Sequence, residues 1–293
     1  MIPIRSRVVA VLLGVAMSPS DPLHAATLGV VAAENMYADV VAQLAGPDVA
    51  VVSVLNNPAQ DPHLFEVNAA TVMRVAGAGL VVYNGAEYDP WMTKLLSATP
   101  GIDRRVIVAA DLARKSAGDN PHFWYDPTFM PVMANAIAAA LIDRDPDARA
   151  AYEARLKVFD EATAPLTAKV AAMRAKYSGV PVTATEPVFD YMARAIGLQM
   201  RNPAFQLAVM NDTEPSARDV AAFEDDLKNH KVRALLFNIQ AASPLSRRMQ
   251  QIAEEAKVPV VEISETEPPG MHYQDWIAAE LDALDVALSG SRP

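Results

Sequence analysis

Short apolar runs alternate along this chain with longer stretches whose apolar residues recur at helical spacing. The runs Thr27–Val31, Val49–Leu55, Gly79–Tyr83 and Val106–Ala109 read as strands. Helical patterns lie between them, among them Asn68–Ala76 and Thr128–Ile142. Such alternation predicts a parallel α/β lobe. The second half repeats the plan, with strands expected at Val180–Thr185, Val232–Phe237 and Val258–Ile263. Its helices are expected at Val188–Ile196, Arg218–Asn229 and Tyr273–Leu288. Ser216 fits an N-cap for the second of these, and Asp219 in the first turn complements the helix dipole.

Between the halves, Asp147–Lys176 contains no glycine, and Leu156, Phe159, Leu166, Val170 and Met173 recur at helical spacing. The segment reads as one long helix joining two lobes. A proline inside a helix removes a hydrogen bond and kinks it, so a bend is expected at Pro165. The organisation is therefore a signal segment at 1–26, an N-terminal α/β lobe at 27–146, a linking helix at 147–178 and a C-terminal α/β lobe at 179–293. The fold class is α/β: two Rossmann-like lobes with parallel sheets, joined by one long helix.

The first residues point to export. Arg5 and Arg7 precede an apolar run from Val8 to Met17, and Leu23-His24-Ala25-Ala26 offers small residues for cleavage after Ala25 or Ala26. That is the layout of a secretory signal peptide. A membrane span needs roughly 20 apolar residues, and this run is about half as long. The chain has no cysteine. Disulfides, thiolate ligands and a thiol nucleophile are thereby excluded, as is the lipid-bearing cysteine of a bacterial lipoprotein. A soluble periplasmic product is expected. The 293 residues suit two compact lobes, and a net charge of −10 argues against a nucleic-acid partner.

Of five histidines, His24 falls in the signal segment. Two others sit in matched settings, Asp61-Pro62-His63-Leu64-Phe65-Glu66 and Asn120-Pro121-His122-Phe123-Trp124-Tyr125-Asp126-Pro127. A preceding proline fixes the backbone and aims the imidazole from a loop after a strand. Loops at the carboxyl ends of parallel strands are where α/β lobes bind ligands, and neutral imidazole is the commonest metal ligand. A lone Pro-His is more often a packing or surface residue; the repetition within one lobe is what points to a metal. The second half offers carboxylates in similar positions. Glu186 follows the strand ending at Thr185, and Glu265 follows the strand ending at Ile263. Taken alone, Glu186 equally fits a carboxylate complementing a helix N-terminus, and Glu265 an ordinary solvated loop acid. His272 reads as a surface residue opening the last helix, and His230 as a helix C-terminal contact. Tyr88, Asp89 and Trp91 read as turn and lobe packing, and the scattered methionines as core filling.

These motifs resemble the metal-binding (zinc/manganese) family of ABC-transporter periplasmic solute-binding proteins, across nearly all of the mature chain. The family's first motif is Asp-Pro-His followed by Glu, as in Asp61 to Glu66. Its second is Asp-Pro-His-x-Trp-x-Asp-Pro; here Asn120 replaces the first aspartate, and Pro121, His122, Trp124, Asp126 and Pro127 are kept. Glu186-Pro187-Val188-Phe189-Asp190-Tyr191 is similar to the third, where zinc carriers often have histidine and manganese carriers commonly glutamate. Glu265 matches the fourth donor, a position more often aspartate. Arg114–Asp119 stands where some zinc carriers have a His-rich loop.

The resemblance implies His63, His122, Glu186 and Glu265 as ligands of one divalent transition-metal ion, Mn2+, Zn2+ or Fe2+, with manganese favoured. The ion is cargo, delivered to an ABC-transporter membrane permease by a monomer with no nucleic-acid partner and no enzymatic activity. Four protein donors leave little room for the open position a catalytic metal keeps. The alternative from another class is a periplasmic metal-dependent hydrolase using the same donors. A carrier for a metal chelate or cobalamin would have little use for four converging donors.

Overall fold

The computed structural model describes residues 28–57, 65–101 and 103–290. The expected signal peptide and His63 lie outside the described residues. In chain order the first half holds β1 (Gly29–Glu34), α1 (Asn35–Ala45), β2 (Ala50–Leu55), α2 (Ala69–Ala76), β3 (Leu80–Tyr83), α3 (Pro90–Ala98), β4 (Arg105–Val108), α4 (Ala109–Ala113) and α5 (Phe129–Arg144). The long helix α6 (Arg149–Tyr177) follows. The second half holds β5 (Pro181–Ala184), α7 (Asp190–Ile196), β6 (Gln199–Arg201), α8 (Pro203–Met210), α9 (Ala217–Lys228), β7 (Leu235–Asn238), α10 (Pro244–Glu255), β8 (Val260–Ile263) and α11 (Tyr273–Ser289).

The strands form two sheets in the orders β2-β1-β3-β4 and β6-β5-β7-β8. Every pairing among them is parallel. The two orders are the same when counted from the first strand of each half, so the second lobe repeats the topology of the first. The direction of winding reverses between β1 and β3, and again between β5 and β7. A reversal opens a crevice beyond the carboxyl ends of the strands, because successive crossovers leave to opposite sides. Glu186 follows β5 and Asn238 ends β7, so these two side chains flank the crevice of the second sheet.

Most expected elements appear, with ends shifted by a few residues. Ser216 caps α9 as its sequence suggests, its hydroxyl accepting from Asp219 N at 3.2 Å. The linking helix runs unbroken from Arg149 to Tyr177 with Pro165 inside it. Helix formation tolerates the lost bond because Phe159, Leu166, Val170 and Met173 are buried along one side, and burying large apolar side chains contributes about 1.5–3 kcal/mol each. The strand β6 and the helices α1, α3, α4, α8 and α10 have no counterpart among the elements named from the sequence. Three residues are too few to set a period in β6. In the case of α1, the apolar run of β1 passes straight into it at Glu34-Asn35, with no turn residue to mark the change.

One hydrophobic core extends through both halves, from Val30 and Leu80 to Val182, Leu236 and Leu284. Aromatic rings fill the place where the lobes meet. Tyr125 packs on Phe189 at 5.0 Å and edge-on to Trp276 at 5.6 Å between ring centres. The lobes are thus not hinged on the helix alone. Separating them exposes large aromatic surface, so motion between them is restrained by the same packing that stabilises the fold. Among the described residues no helix is long and apolar enough to cross a membrane.

Candidate metal centre

His122, Glu186 and Glu265 come together from three separate parts of the chain. Each offers a ligand atom, and these atoms all lie within 4.8 Å of one another. His122 and Glu265 are fully buried and Glu186 is 3% exposed. Two carboxylates held this close out of water repel one another, and an ion between them and the imidazole removes that cost. The donor set of one nitrogen and several oxygens is hard to intermediate. It suits manganese, iron or zinc and offers nothing to a soft ion that seeks sulfur.

His122 stands just before a one-turn 3-10 helix, Phe123–Tyr125. The sequence placed it in a loop directly after a strand; the short α4 intervenes between β4 and this loop. Its Nδ1 lies 2.7 Å from Asn120 Oδ1, which also accepts from His122 N at 3.1 Å. The other end of that amide, Asn120 Nδ2, donates to Pro187 O at 2.7 Å. With Oδ1 thereby turned to the ring, Nδ1 carries the hydrogen and Nε2 keeps the lone pair a metal needs. Nε2 points at Glu265, 3.6 Å from Oε2. The asparagine that replaces the family's aspartate therefore does two things. It orients the imidazole, and it ties this loop to the carbonyl next to Glu186, which an ionised aspartate is unable to do for lack of a donor.

Glu186 sits in extended backbone at the head of a second one-turn 3-10 helix, Pro187–Phe189. Its Oε2 accepts from Asn238 Nδ2 at 2.7 Å. The same nitrogen donates to Glu265 Oε1 at 2.6 Å. Glu265 Oε2 accepts from Tyr88 Oη at 2.9 Å. The backbone around Glu265 is also fixed, since Gln240 Oε1 accepts from Glu265 N at 2.5 Å and Thr266 N at 3.1 Å. Sequence reasoning missed Asn238 and Gln240 altogether and took Tyr88 for packing. Only the position of Asn238 at the end of a strand, where ligands bind in such sheets, is a signal that points to it. Asp89 does serve the turn, accepting from Asn84 N at 2.8 Å and Gly85 N at 2.7 Å. His272 is largely exposed and bonds Asp39 at 2.7 Å, away from the three donors.

A second layer locks the loop bearing Glu265 to the first lobe. Tyr125 Oη lies 2.6 Å from Ser264 O and 2.7 Å from Glu280 Oε2, so its one hydrogen bonds either of the two oxygens. Glu280 Oε1 accepts from Ser264 N at 3.1 Å and Trp276 Nε1 at 2.8 Å. Asn35 accepts from Glu267 N at 3.0 Å and donates to Glu267 O at 2.6 Å. Burial pushes the Glu280 carboxyl up to about 7, although Tyr125, Trp276 and Ser264 pull the other way. The same cause raises Asp89 to about 6 and Glu267 to about 9.

A carboxyl with a raised folded-state pKa binds its proton more tightly in the native state. Its contribution to stability is therefore fully present below its ordinary pKa and is lost as pH rises through the folded value. For Glu280, from 4.5 to about 7, the loss is on the order of 3 kcal/mol. The metal-free protein is expected to lose stability across that window. Glu280→Gln is expected to lose less across it, because Asp89 and Glu267 still titrate but position 280 does not. Urea midpoints of both proteins at pH 4.5 and 7.5 check this; parallel declines would show that Glu280 does not carry the effect.

Comparison with known proteins gives a consistent picture. The family described as ZnuA, zinc-uptake complex component A, periplasmic, matches residues 30–287. The manganese ABC transporter substrate-binding lipoprotein ScaA of Streptococcus gordonii is 24% identical over 290 residues, 89% of each chain. Among solved structures, the periplasmic zinc-binding protein TroA of Treponema pallidum superposes with a TM-score of 0.73 at 21% identity, over 89% of this chain and 99% of its own. The solute-binding protein FpvC of Pseudomonas aeruginosa, in complex with Mn2+, gives 0.74 at 22% identity, over 91% and 100%. At these identities the structural matches speak for a shared fold.

Proposed function

This chain belongs to the ZnuA family of periplasmic metal-uptake components, and from that premise we propose that it captures one divalent transition-metal ion and hands it to the membrane permease of an ABC importer. The observation that carries this reading is the buried convergence of His122, Glu186 and Glu265, a donor set able to hold a cation. His63 is the proposed fourth ligand, from the first Pro-His motif. Manganese is favoured over zinc and iron, because two carboxylates and two imidazoles make an oxygen-rich set. The named relatives include a manganese ABC-transporter substrate-binding lipoprotein and a periplasmic zinc-binding protein, and both ions lie within the range of such a site.

The family consists of binding components of importers, which leaves the hydrolase alternative without support. We further read the chain as a monomer with no nucleic-acid partner. We read residues 1–26 as a cleaved signal peptide that exports the chain, a reading supported by the absence of a cysteine to carry a lipid. The lobes are assigned to 27–146 and 179–293 and the linking helix to 147–178. Titration calorimetry of the purified protein with Mn2+ and Zn2+ tests the central reading, and one ion per chain is expected. Absence of binding for both ions overturns it. Elemental analysis of protein isolated from its native periplasm then decides which ion is carried.

A further inference from the structure

We propose that Asn238 is a specificity-determining residue of this site: its single amide nitrogen holds one oxygen of each carboxylate ligand and so opposes the rotation that would bring both oxygens of either to the ion. The inference rests on the metal-binding reading above and adds what sets the coordination number. An amide NH2 has two hydrogens. Here both are spent, one on Glu186 Oε2 at 2.7 Å and one on Glu265 Oε1 at 2.6 Å. Asn238 is 2% exposed, so water does not compete for those hydrogens.

Asn238 is itself held by two further bonds. Its backbone N donates to Thr185 Oγ1 at 3.0 Å, and its Oδ1 accepts from Gln240 N at 3.0 Å. With Oδ1 occupied, the side chain is unable to flip and present an oxygen to the two carboxylates. The residue also stands at the end of β7, across the crevice from β5, so its position is fixed by the sheet and not by a flexible loop. A donor placed this way acts on the free protein as well. It spreads partial positive charge between two carboxylates that otherwise repel, and keeps them near the geometry the ion needs.

The consequence is selective. Zinc settles at four ligands, each at one atom, and loses nothing when a carboxylate is held to one oxygen. Manganese accepts six, which these two carboxylates supply only by binding through both oxygens. Glu265 Oε2, the oxygen 3.6 Å from His122 Nε2, also accepts from Tyr88 Oη at 2.9 Å; a carboxylate oxygen has two lone pairs, so that bond fixes the rotation of the group without barring Oε2 from the ion. Asn238 therefore holds manganese affinity down relative to zinc, against the general lean of an oxygen-rich donor set.

Asn238→Asp is the informative variant. It keeps the acceptor for Gln240 N and the backbone bond to Thr185, and removes both amide hydrogens. Asn238→Ala removes the side-chain contacts altogether and guards against an effect specific to the added charge. Two readouts are taken: the Mn2+ to Zn2+ affinity ratio by chelator competition, and the visible spectrum of the Co2+-loaded protein, intense for four-coordinate and weak for six-coordinate cobalt. Wild type is expected to give the intense spectrum. Both variants are expected to give a weaker one, with the manganese-to-zinc ratio raised by about tenfold, the lower end of the roughly 10–100-fold by which outer-shell changes alter metal affinity. An unchanged ratio and spectrum in the variants would overturn the proposal. So would a six-coordinate spectrum in the wild type, a result that needs no variant to fold. Failure of the wild type to bind any of the three ions would instead remove the carrier reading itself.

Discussion

Replacing His122 by alanine is expected to abolish the rise in melting temperature that zinc or manganese gives the wild-type protein. An ion that binds only the native state stabilises it by RT ln(1 + [L]/Kd), about 2.7 kcal/mol at 100 times Kd. For a chain of this size each kcal/mol moves the melting temperature by about 2–4 °C, so the wild-type shift is expected at about 5–10 °C and should reverse with a chelator. His122 is fully buried, its Nδ1 is committed to Asn120, and its Nε2 faces Glu265. No other described nitrogen donor is among the converging atoms. Loss of an outer-shell partner alone costs roughly 10–100-fold in metal affinity, and loss of the ligand itself exceeds that. At the same metal concentration the variant then gains almost nothing. The alanine also leaves a cavity beside Tyr88 and Trp124, whose rings lie 5.8 and 5.2 Å from the imidazole, so the metal-free variant melts lower. The diagnostic quantity is the difference between metal-loaded and chelated melts within each protein. A full shift in His122→Ala would remove the imidazole from the site.

Glu186→His is expected to lower the manganese-to-zinc affinity ratio by roughly an order of magnitude. The change replaces an oxygen with a nitrogen and removes one negative charge from a buried site. Imidazole suits zinc at least as well as carboxylate does, whereas manganese prefers oxygen. The local frame favours a clean exchange. Glu186 is held in extended backbone ahead of Pro187, and proline limits the conformation of the residue before it. Asn238 loses one acceptor in this variant but keeps Glu265 Oε1 at 2.6 Å. Paired Kd measurements for both ions on wild type and variant check the prediction. An unchanged ratio would mean that Glu186 is not a ligand or does not set the preference.

Much of this architecture is legible along the chain because it is local. Two rounds of apolar runs alternating with helical patterns announce two parallel α/β lobes, since parallel strands are covered on both faces and read as unbroken apolar runs. The long segment without glycine before residue 177 announces its helix, and the Pro-His motif marks His122 because proline and imidazole act within a few residues of one another. What is not local is not legible. The three-residue β6 has no period of its own and exists because β5 offers it an edge to pair with.

Fold class, likeness to metal carriers and the residue types able to bind a cation are all readable along the chain. Which side chains meet, and which oxygen of each carboxylate Asn238 holds, depends on how the two lobes come together. Tyr88 reads as packing until the fold brings it to Glu265, 177 residues away. Asn238 reads as an ordinary strand end until it lies between Glu186 and Glu265, 52 and 27 residues distant. Asn120 reads as a departure from a motif until its two amide ends are seen to serve His122 and Pro187 at once. Hydrogen bonds of this kind depend on distance and angle to within a few tenths of an ångström. Separation along the chain carries no such information, and packing of the two lobes on one shared core supplies it.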